Sequence, residues 1–136
     1  MGLPRDEDEF QAYVEIPFAH AAVTADTGPA KLWRCPTGRT FVVDSVDYIN
    51  PTGLAADAAN YFAVQIKQGS VVVAQHSTLT GAQGALPANT FVSLVNSTTP
   101  ADLVIEAGEV LDLTLDETGT ASLPAGSGTI RGRFVA

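Results

Sequence analysis

The residues that could carry out chemistry are few and widely separated along the chain. Its two histidines, His20 and His76, each stand alone among small or apolar neighbours, a setting more typical of a structural or exposed histidine than of a ligand. A metal enzyme with the cupin fold needs two closely spaced histidines on one strand, a glutamate and a further histidine. The sequence therefore excludes a metal site of that kind, and we predict no cofactor.

The candidate nucleophiles are equally isolated. No Gly-x-Ser-x-Gly motif is present, and His76 and Ser77, as neighbours on a strand, would point to opposite faces. Cys35 is the single cysteine; Arg34 beside it could lower its pKa slightly, but the sequence favours a small core or edge residue. An enzyme would need a pocket that brings together Asp112, His76 and Cys35, and we predict that the protein is not an enzyme.

Two pairs of carboxylates have spacings worth testing as sites. Asp112 and Asp116 are predicted on the same solvent-facing side of one strand, about 13–14 Å apart at the usual strand rise, which is too far for a glycosidase pair. Glu106 and Glu109 flank a short Ala-Gly turn and, with a loop carbonyl, could hold calcium. No EF-hand spacing accompanies them, so a solvated acidic rim is the favoured interpretation.

The aromatic residues offer an alternative ligand class, carbohydrate. Trp33, Tyr13, Tyr48 and Tyr61 could form a platform for a sugar ring if they were exposed together. With only 7% aromatic residues in the chain, ordinary use in the core is the better expectation.

The composition bounds the class of protein. With 136 residues, 46% hydrophobic and 16% charged, the chain fits one globular domain with its own core. Seven basic against 15 acidic residues give a net charge of −8, which argues against nucleic acid as a partner because phosphate binding depends on Lys and Arg. No apolar run approaches the ~18 residues of a membrane span, and the first ten residues lack the apolar segment of a signal peptide. We expect a soluble protein that binds neither nucleic acid nor membrane.

The first ten residues form a distinct acidic segment. The run Asp6–Glu9 follows Pro4, and adjacent like charges repel and favour an extended chain. We therefore divide the chain into an N-terminal arm, residues 1–10, and a folded domain, residues 11–136. A terminus without fixed structure is the alternative interpretation of the arm.

Alternation with a period of two dominates the folded domain, and this is the period of a β-strand. In Val110–Asp116 three leucines point to one side, whereas Asp112, Thr114 and Asp116 point to the other, which predicts a strand that is wet on one face. Pro17 predicts that the first strand lies at a sheet edge. This first strand is predicted at Tyr13–Phe18. The remaining strands are predicted at Lys31–Cys35, Thr40–Ile49, Tyr61–Lys67, Ser70–His76, Thr90–Asn96, Leu103–Glu106 and Thr129–Val135.

Turn residues separate these strands and predict their connections. Gln68 and Gly69 predict a tight hairpin, and the segment Pro124–Gly128 is predicted to be a turn. The alanine-rich segment Leu54–Tyr61 favours one or two helical turns or a structured loop, and Thr78–Ala88 is predicted to be a long surface connection. Eight or nine short strands at this spacing indicate an antiparallel sandwich or a barrel.

A family resemblance narrows this class. The segment Ile105–Val135, with the run Ala-Gly-Glu-Val-Leu-Asp-Leu-Thr-Leu and a later Gly-Thr turn, resembles the closing hairpin of small jelly-roll proteins found on tailed bacteriophage particles. The segments Leu32–Val46, Ala58–Val64 and Ser70–Gln75 are similar to the rest of that pattern. The resemblance covers roughly residues 30–136 and implies an all-β, antiparallel jelly-roll β-sandwich of about eight strands, to which the acidic run adds an extended N-terminal arm.

The same resemblance implies a role in the virion. Most such proteins are capsid decoration, or cement, proteins: homotrimers on the capsid exterior that bind neighbouring major capsid subunits. We expect capsid or inter-subunit contacts from the loops Asn50–Asn60 and Thr78–Ala88 and from the arm, whose contact residues are Leu3, Pro4, Arg5, Asp6, Glu7, Asp8, Glu9 and Phe10. The alternative is a head-fibre or tail adhesin domain that binds carbohydrate.

Overall fold

The computed structural model describes residues 13–135, and in this part of the chain it shows an all-β protein of two packed antiparallel sheets. Of the sandwich and the barrel that the strand pattern left open, the sandwich is confirmed, whereas the arm, residues 1–10, lies outside the described residues. Short extra strands raise the number from about eight to ten. They are β1 (Tyr13–His20), β2 (Thr27–Arg34), β3 (Thr40–Ile49), β4 (Tyr61–Gln68), β5 (Val71–Ser77), β6 (Phe91–Ser93), β7 (Val95–Asn96), β8 (Val104–Ile105), β9 (Val110–Thr118) and β10 (Gly126–Val135).

The two sheets have different memberships but the same antiparallel pairing. Sheet I has the order β1-β10-β3-β6, with β8 also paired to β3, and sheet II has the order β2-β9-β4-β5-β7. Among the described strands β1 pairs with β10 alone, through eight consecutive residues, so the edge position predicted from Pro17 is confirmed. The hairpin predicted at Gln68-Gly69 is also present, between β4 and β5.

The core lies between the inner faces of the two sheets, because every second residue of the long strands points inward. The three leucines of β9, Leu111, Leu113 and Leu115, are buried as predicted. They pack with a set of large side chains that are less than 2% exposed, including Tyr48, Phe41, Phe62, Ile66, Ile105, Leu123 and Ile130.

Strand β10 begins three residues earlier than predicted, because its glycines face the core rather than form a turn. A Cβ at Gly126 would collide with the Tyr48 hydroxyl, and a Cβ at Gly128 would collide with the ring of Phe18. The predicted turn over Pro124–Gly128 is therefore wrong beyond Ala125. The two glycines of β10 leave room for the aromatic rings of Phe18 and Tyr48 from the neighbouring strands β1 and β3.

The segment predicted as a single strand over Thr90–Asn96 is divided between the sheets. Strand β6 pairs with β3 in sheet I, whereas β7 pairs with β5 in sheet II. Leu94 lies between them and is buried, so the chain crosses from one sheet to the other where this side chain enters the core. The strand predicted at Leu103–Glu106 is similarly reduced to β8, after a 3₁₀ turn at Pro100–Leu103.

The helical turns predicted as one option for Leu54–Tyr61 do not form, and the structured loop is the correct option. Leu54 forms an isolated antiparallel bridge with Leu86, and Asp57 forms a parallel bridge with Leu79. Pairing with the second loop therefore replaces the i to i+4 bonds that alanine favours locally.

Candidate functional site

Four connections meet at one end of the sandwich, which we call the loop end. They are residues 21–26, 50–60, 78–90 and 119–125, which join β1 to β2, β3 to β4, β5 to β6 and β9 to β10. The opposite end, which we call the turn end, carries the short connections 35–39, 69–70 and 106–109. The loop end thus contains both segments predicted as contacts, Asn50–Asn60 and Thr78–Ala88.

Backbone hydrogen bonds join the loops of the loop end to one another. Leu54 and Leu86 exchange two bonds of 3.0 and 2.8 Å, and Val23 and Leu123 exchange two of 2.9 and 2.8 Å. The amide of Asp57 donates to Thr78, and that of Thr80 donates back to Asp57. Backbone hydrogen bonds of the kind that join β-strands therefore hold the long loops in one arrangement, although these loops lie outside the sheets.

Side chains add a second set of braces to the loop end. Asn60 Oδ1 accepts from the Thr120 amide at 2.8 Å and from its hydroxyl at 3.1 Å. Asp57 Oδ1 accepts from the amides of Ala59 and Asn60, both at 2.7 Å. These two backbone hydrogen bonds lower the pKa of Asp57 because they favour the ionised carboxylate.

A buried polar network lies beneath the loop end. Tyr48, fully buried, contacts His20 Nε2 through its hydroxyl at 2.6 Å and accepts from Asn50 Nδ2 at 3.2 Å. His20 Nδ1 lies 2.8 Å from the Ala21 carbonyl, so it carries the proton, and Nε2 accepts from the tyrosine. Asn50 also donates to the Pro124 carbonyl at 2.7 Å, so each of these polar groups has a partner.

The two long loops of the loop end, residues 50–60 and 78–90, expose small and almost uncharged side chains. Within residues 50–60 and 78–90 the one charged side chain is Asp57, and its carboxylate bonds to its own loop. Seven alanines are exposed there: Ala55, Ala56, Ala58, Ala59, Ala82, Ala85 and Ala88. Such a surface offers shape and backbone groups to another protein, with little side-chain entropy to lose on contact.

The residues considered for catalysis are not brought together. Cys35 donates to the Arg39 carbonyl at 3.4 Å at the turn end, and burial raises the pKa of its thiol, contrary to the lowering expected from Arg34. His76 lies near the loop end, where Nε2 contacts the Gly84 carbonyl at 2.8 Å. Cys35 bonds to Glu109, whereas His76 lies in line with Leu115 of β9. At the usual strand rise these two positions along the chain are about 20 Å apart.

Asp112 lies on the outer side of β9, as predicted, but the predicted solvent exposure is wrong, because this residue is only 8% exposed. It lies in the middle of sheet II, between β2 and β4, and its Oδ1 has no hydrogen-bond partner among residues 13–135. Asp116 is exposed as predicted, but partial burial and then Asp26 raise its pKa. Asp26 also accepts from the Glu117 amide at 2.6 Å.

The glutamates considered for calcium brace their own turn. Glu109 Oε1 accepts from the Glu106 amide at 2.8 Å, and Glu106 Oε1 accepts from the Thr40 hydroxyl at 3.2 Å. In the part of the chain that the structure describes, no group of three or more His, Cys, Asp or Glu side chains is arranged to hold a metal ion.

The four aromatic residues considered for sugar binding are dispersed. Trp33 packs on Phe41 with ring centres 4.7 Å apart, and Tyr48 is buried. Tyr13 is 75% exposed on the outer face of sheet I, whereas Tyr61 lies on β4 in sheet II. These rings therefore do not form one platform.

The outer face of sheet I carries ion pairs that the sequence analysis did not single out. Arg131 on β10 binds Glu15 on β1 at 3.0 Å and Asp47 on β3, and Arg133 binds Asp44. The signal was present in the alternation of β10, where both arginines share the solvent-facing side. Ion pairs this exposed contribute little to stability but order the three strands across the face.

Comparison with known proteins identifies no relative: no family model, no curated protein and no solved structure matches this chain. Between residues 13 and 135 there is no helix with the length and apolar character needed to cross a membrane.

Proposed function

We propose that the protein is a non-enzymatic structural component of a tailed-phage particle, which decorates the capsid exterior as a homotrimer and stabilises it by binding neighbouring major capsid subunits. The observation that carries the proposal is the loop end, where long loops are hydrogen-bonded into one arrangement and expose small uncharged side chains. A preformed surface loses little conformational entropy on binding another protein.

The connectivity of the sandwich supports the jelly-roll interpretation on which the proposal depends. Consecutive strands β1, β2, β3 and β4 alternate between sheets I and II, and β9 and β10 insert between β4 and β2 and between β1 and β3. Two interleaved Greek keys have this arrangement. Jelly rolls serve in viral capsids and lectins alike, so the fold supports a role in assembly or recognition without choosing between them.

The arm supplies the second contact in this proposal. In this proposal residues Leu3–Phe10 make a contact with a neighbouring subunit, while the loop end docks on the shell. Occupied sites stabilise the particle by mass action, since the decoration protein binds the assembled state. A net charge of −8 keeps free copies soluble and mutually repelling before they dock.

The experiment adds the purified protein to capsids stripped of accessory proteins, after light scattering has given its mass in solution. We expect a trimer that binds saturably and raises the temperature at which the capsid disrupts. Deletion of residues 1–10 should weaken binding while leaving the sandwich folded. A monomer that does not bind the particle would exclude the decoration role.

A pair of charge insertions tests the loop end itself. Ala56→Arg with Ala85→Arg places two unpaired charges on the proposed contact and should reduce capsid affinity at least about tenfold. Ser70→Arg, in the exposed hairpin of the turn end, is the matched control and should bind like the wild type. Equal loss in both variants would show that the loop end is not the contact.

One observation favours the alternative, an adhesin that binds carbohydrate. A shallow cleft of about 260 Å³ on the β5–β7 side of sheet II is lined by polar Gln75, Gln83, Asn96, Ser97 and Thr98 beside Val72 and Val95. Asn96 Oδ1 is buried there and has no hydrogen-bond partner in the described part of the chain. Amide and hydroxyl groups next to apolar surface suit sugar hydroxyls. Glycan-array binding that Gln75→Ala abolishes would establish this function, and silence on the array would remove it.

A further inference from the structure

A row of three charged residues crosses the outer face of sheet II. Asp112 on β9 is the direct cross-strand partner of Lys31 on β2 and of Lys67 on β4. Directly opposed residues point to the same face of a sheet. The row therefore places one buried carboxylate between two lysines, on the face that points away from the core.

No member of this row forms an ion pair or a side-chain hydrogen bond among residues 13–135, although the charge of Asp116 on the same face lies near Lys67. Asp112 is 8% exposed and its Oδ1 has no hydrogen-bond partner, an arrangement that costs free energy unless a donor is supplied. Neither Lys31 nor Lys67 forms an ion pair or a side-chain hydrogen bond with a described residue. The other described cations are engaged: Arg131 and Arg133 with carboxylates, Arg34 with the Gly108 carbonyl, and Arg39 over the Phe134 ring.

An open cleft leads to this row from the edge of the sheet. Its volume is about 350 Å³, and Lys31, Leu32, Trp33, Arg34 and Val110 line it. Val110 and Asp112, two residues apart on β9, share the outer face. The cleft and the row therefore form one continuous surface with basic side chains at both ends.

The N-terminal segment starts close to this cleft. Tyr13, the first residue of β1, pairs with Arg133 on β10, and the adjacent Phe134 contacts Trp33 with ring centres 6.1 Å apart. At ~3.3 Å per residue, Asp6–Glu9 can reach about 13–23 Å from Tyr13. Lys31 lies on β2, the edge strand of sheet II, which contacts β1, and Lys67 lies two strand spacings, about 10 Å, beyond it. An extended segment of this length can therefore reach the row.

We infer that the outer face of sheet II is the docking site of the chain's own N-terminal arm, with carboxylates of Asp6–Glu9 bound to Lys31 and Lys67 and a backbone or Arg5 donor supplied to Asp112. Charge complementarity selects this occupant, because the arm concentrates four acidic residues and the face holds the two lysines without described partners. The inference stands independently of the capsid role. Where both hold, capsid binding must first release the arm from this face.

The lysine content of the chain makes a direct test available. Lys31 and Lys67 are its two lysines, so a carbodiimide can join a carboxylate only to these side chains or to the terminal amine. The full-length protein, mixed from equal amounts of ¹⁴N- and ¹⁵N-labelled chains, is cross-linked and digested. We expect links from Asp6–Glu9 to Lys31 or Lys67 within one isotope population, and their loss in 1 M salt.

Three outcomes would overturn this inference. Links that combine ¹⁴N and ¹⁵N peptides would assign the face to the arm of a second copy. A result with no arm links would show that the arm does not dock, provided that both lysines still react with the carboxylate of a small added acid. Arm peptides that are still linked to Lys31 or Lys67 in a variant with Asp6→Asn, Glu7→Gln, Asp8→Asn and Glu9→Gln would show that the links come from carboxylates other than these four.

A kinetic measurement tests the same contact without cross-linking. Cleavage of the arm by thermolysin should become about tenfold faster in Lys31→Gln with Lys67→Gln, since two exposed ion pairs are lost. Arg133→Gln removes a positive charge from the opposite face and should leave the rate unchanged. Equal rates in the wild type and the double lysine variant would contradict docking.

Discussion

The two ends of the sandwich are stabilised by different kinds of interaction. At the turn end, Trp33, Phe41 and Phe134 form a cluster with ring centres 4.7–6.1 Å apart, and the Arg39 guanidinium lies 4.1 Å above the Phe134 ring. At the loop end, by contrast, directional hydrogen bonds of Asn50 and its neighbours hold the chain.

The difference matches what each end must position. Apolar packing depends on volume and contact rather than direction, so it suits short turns whose path the strands already determine. Long loops have many alternative paths, and a satisfied buried polar network selects one of them. The comparison therefore predicts that mutations at the turn end lower global stability, whereas mutations at the loop end also change loop structure.

The largest expected effect comes from the turn end. Phe41→Ala removes a ring with no exposed surface and should lower the free energy of unfolding by about 3–5 kcal/mol, measured by chemical denaturation. Phe41→Leu, which keeps most of the volume, is the matched control and should cost clearly less. If the alanine variant lost under 1 kcal/mol, the aromatic cluster would not be what holds this end.

An intermediate effect is expected at the loop end. Asn50→Ala leaves the Pro124 carbonyl and the amides of Thr52 and Gly53 without their side-chain partner, and should cost about 2 kcal/mol. It should also speed hydrogen exchange at the Leu54 and Leu86 amides. In Phe41→Ala these amides should stay protected when the two variants are compared at equal free energy of unfolding. Asn50→Asp keeps the acceptor and loses the donor, so it separates the two halves of the network. Unchanged exchange in Asn50→Ala would break the proposed contrast.

The smallest expected effect is a pH dependence at the loop end. Burial lowers the pKa of His20 in the folded protein, so the unfolded chain, with its histidine near 6.5, binds the proton more strongly. Stability contributed by the neutral ring is present above pH 6.5 and is lost as the pH falls towards the folded pKa. Protonated Nε2 could no longer accept from Tyr48. His20→Gln should flatten the unfolding free energy between pH 7.5 and 5.5; an unchanged slope would assign it to other groups.

Much of the fold could be predicted from periodicity, and the failures have local causes. The leucine alternation of β9 located the core face, but the burial of Asp112 on the other face was missed, because the strands β2 and β4 that flank it are absent from the local pattern. Gly126 and Gly128 have turn-like propensity, yet aromatic rings on adjacent strands require their lack of a side chain. Short-range rules contain no information about such cross-strand partners.

For the candidate site, the positions of the loops could be predicted from the sequence, but the hydrogen bonds that hold them could not. The boundaries of the two contact loops followed from Pro, Gly and Ala content, and both loops lie at the same end of the molecule. The braces were missed: Asn60 bonds to a turn 60 residues away, and no local pattern shows such a partner. For Asn50 a signal existed, since Asn-Pro-Thr-Gly is a sequence in which the asparagine side chain accepts from the following amides.

The pairing of β1 with β10 also has a consequence for biosynthesis. The first and last described strands are separated by more than 100 residues, so at 5–20 residues per second β1 waits on the order of 10 s on the ribosome for its partner. During that interval β3 also lacks β10, its long neighbour in sheet I, so the position between β1 and β3 stays empty. The hairpin of β4 and β5 can form long before, which makes sheet II the first surface on which the nascent chain can organise.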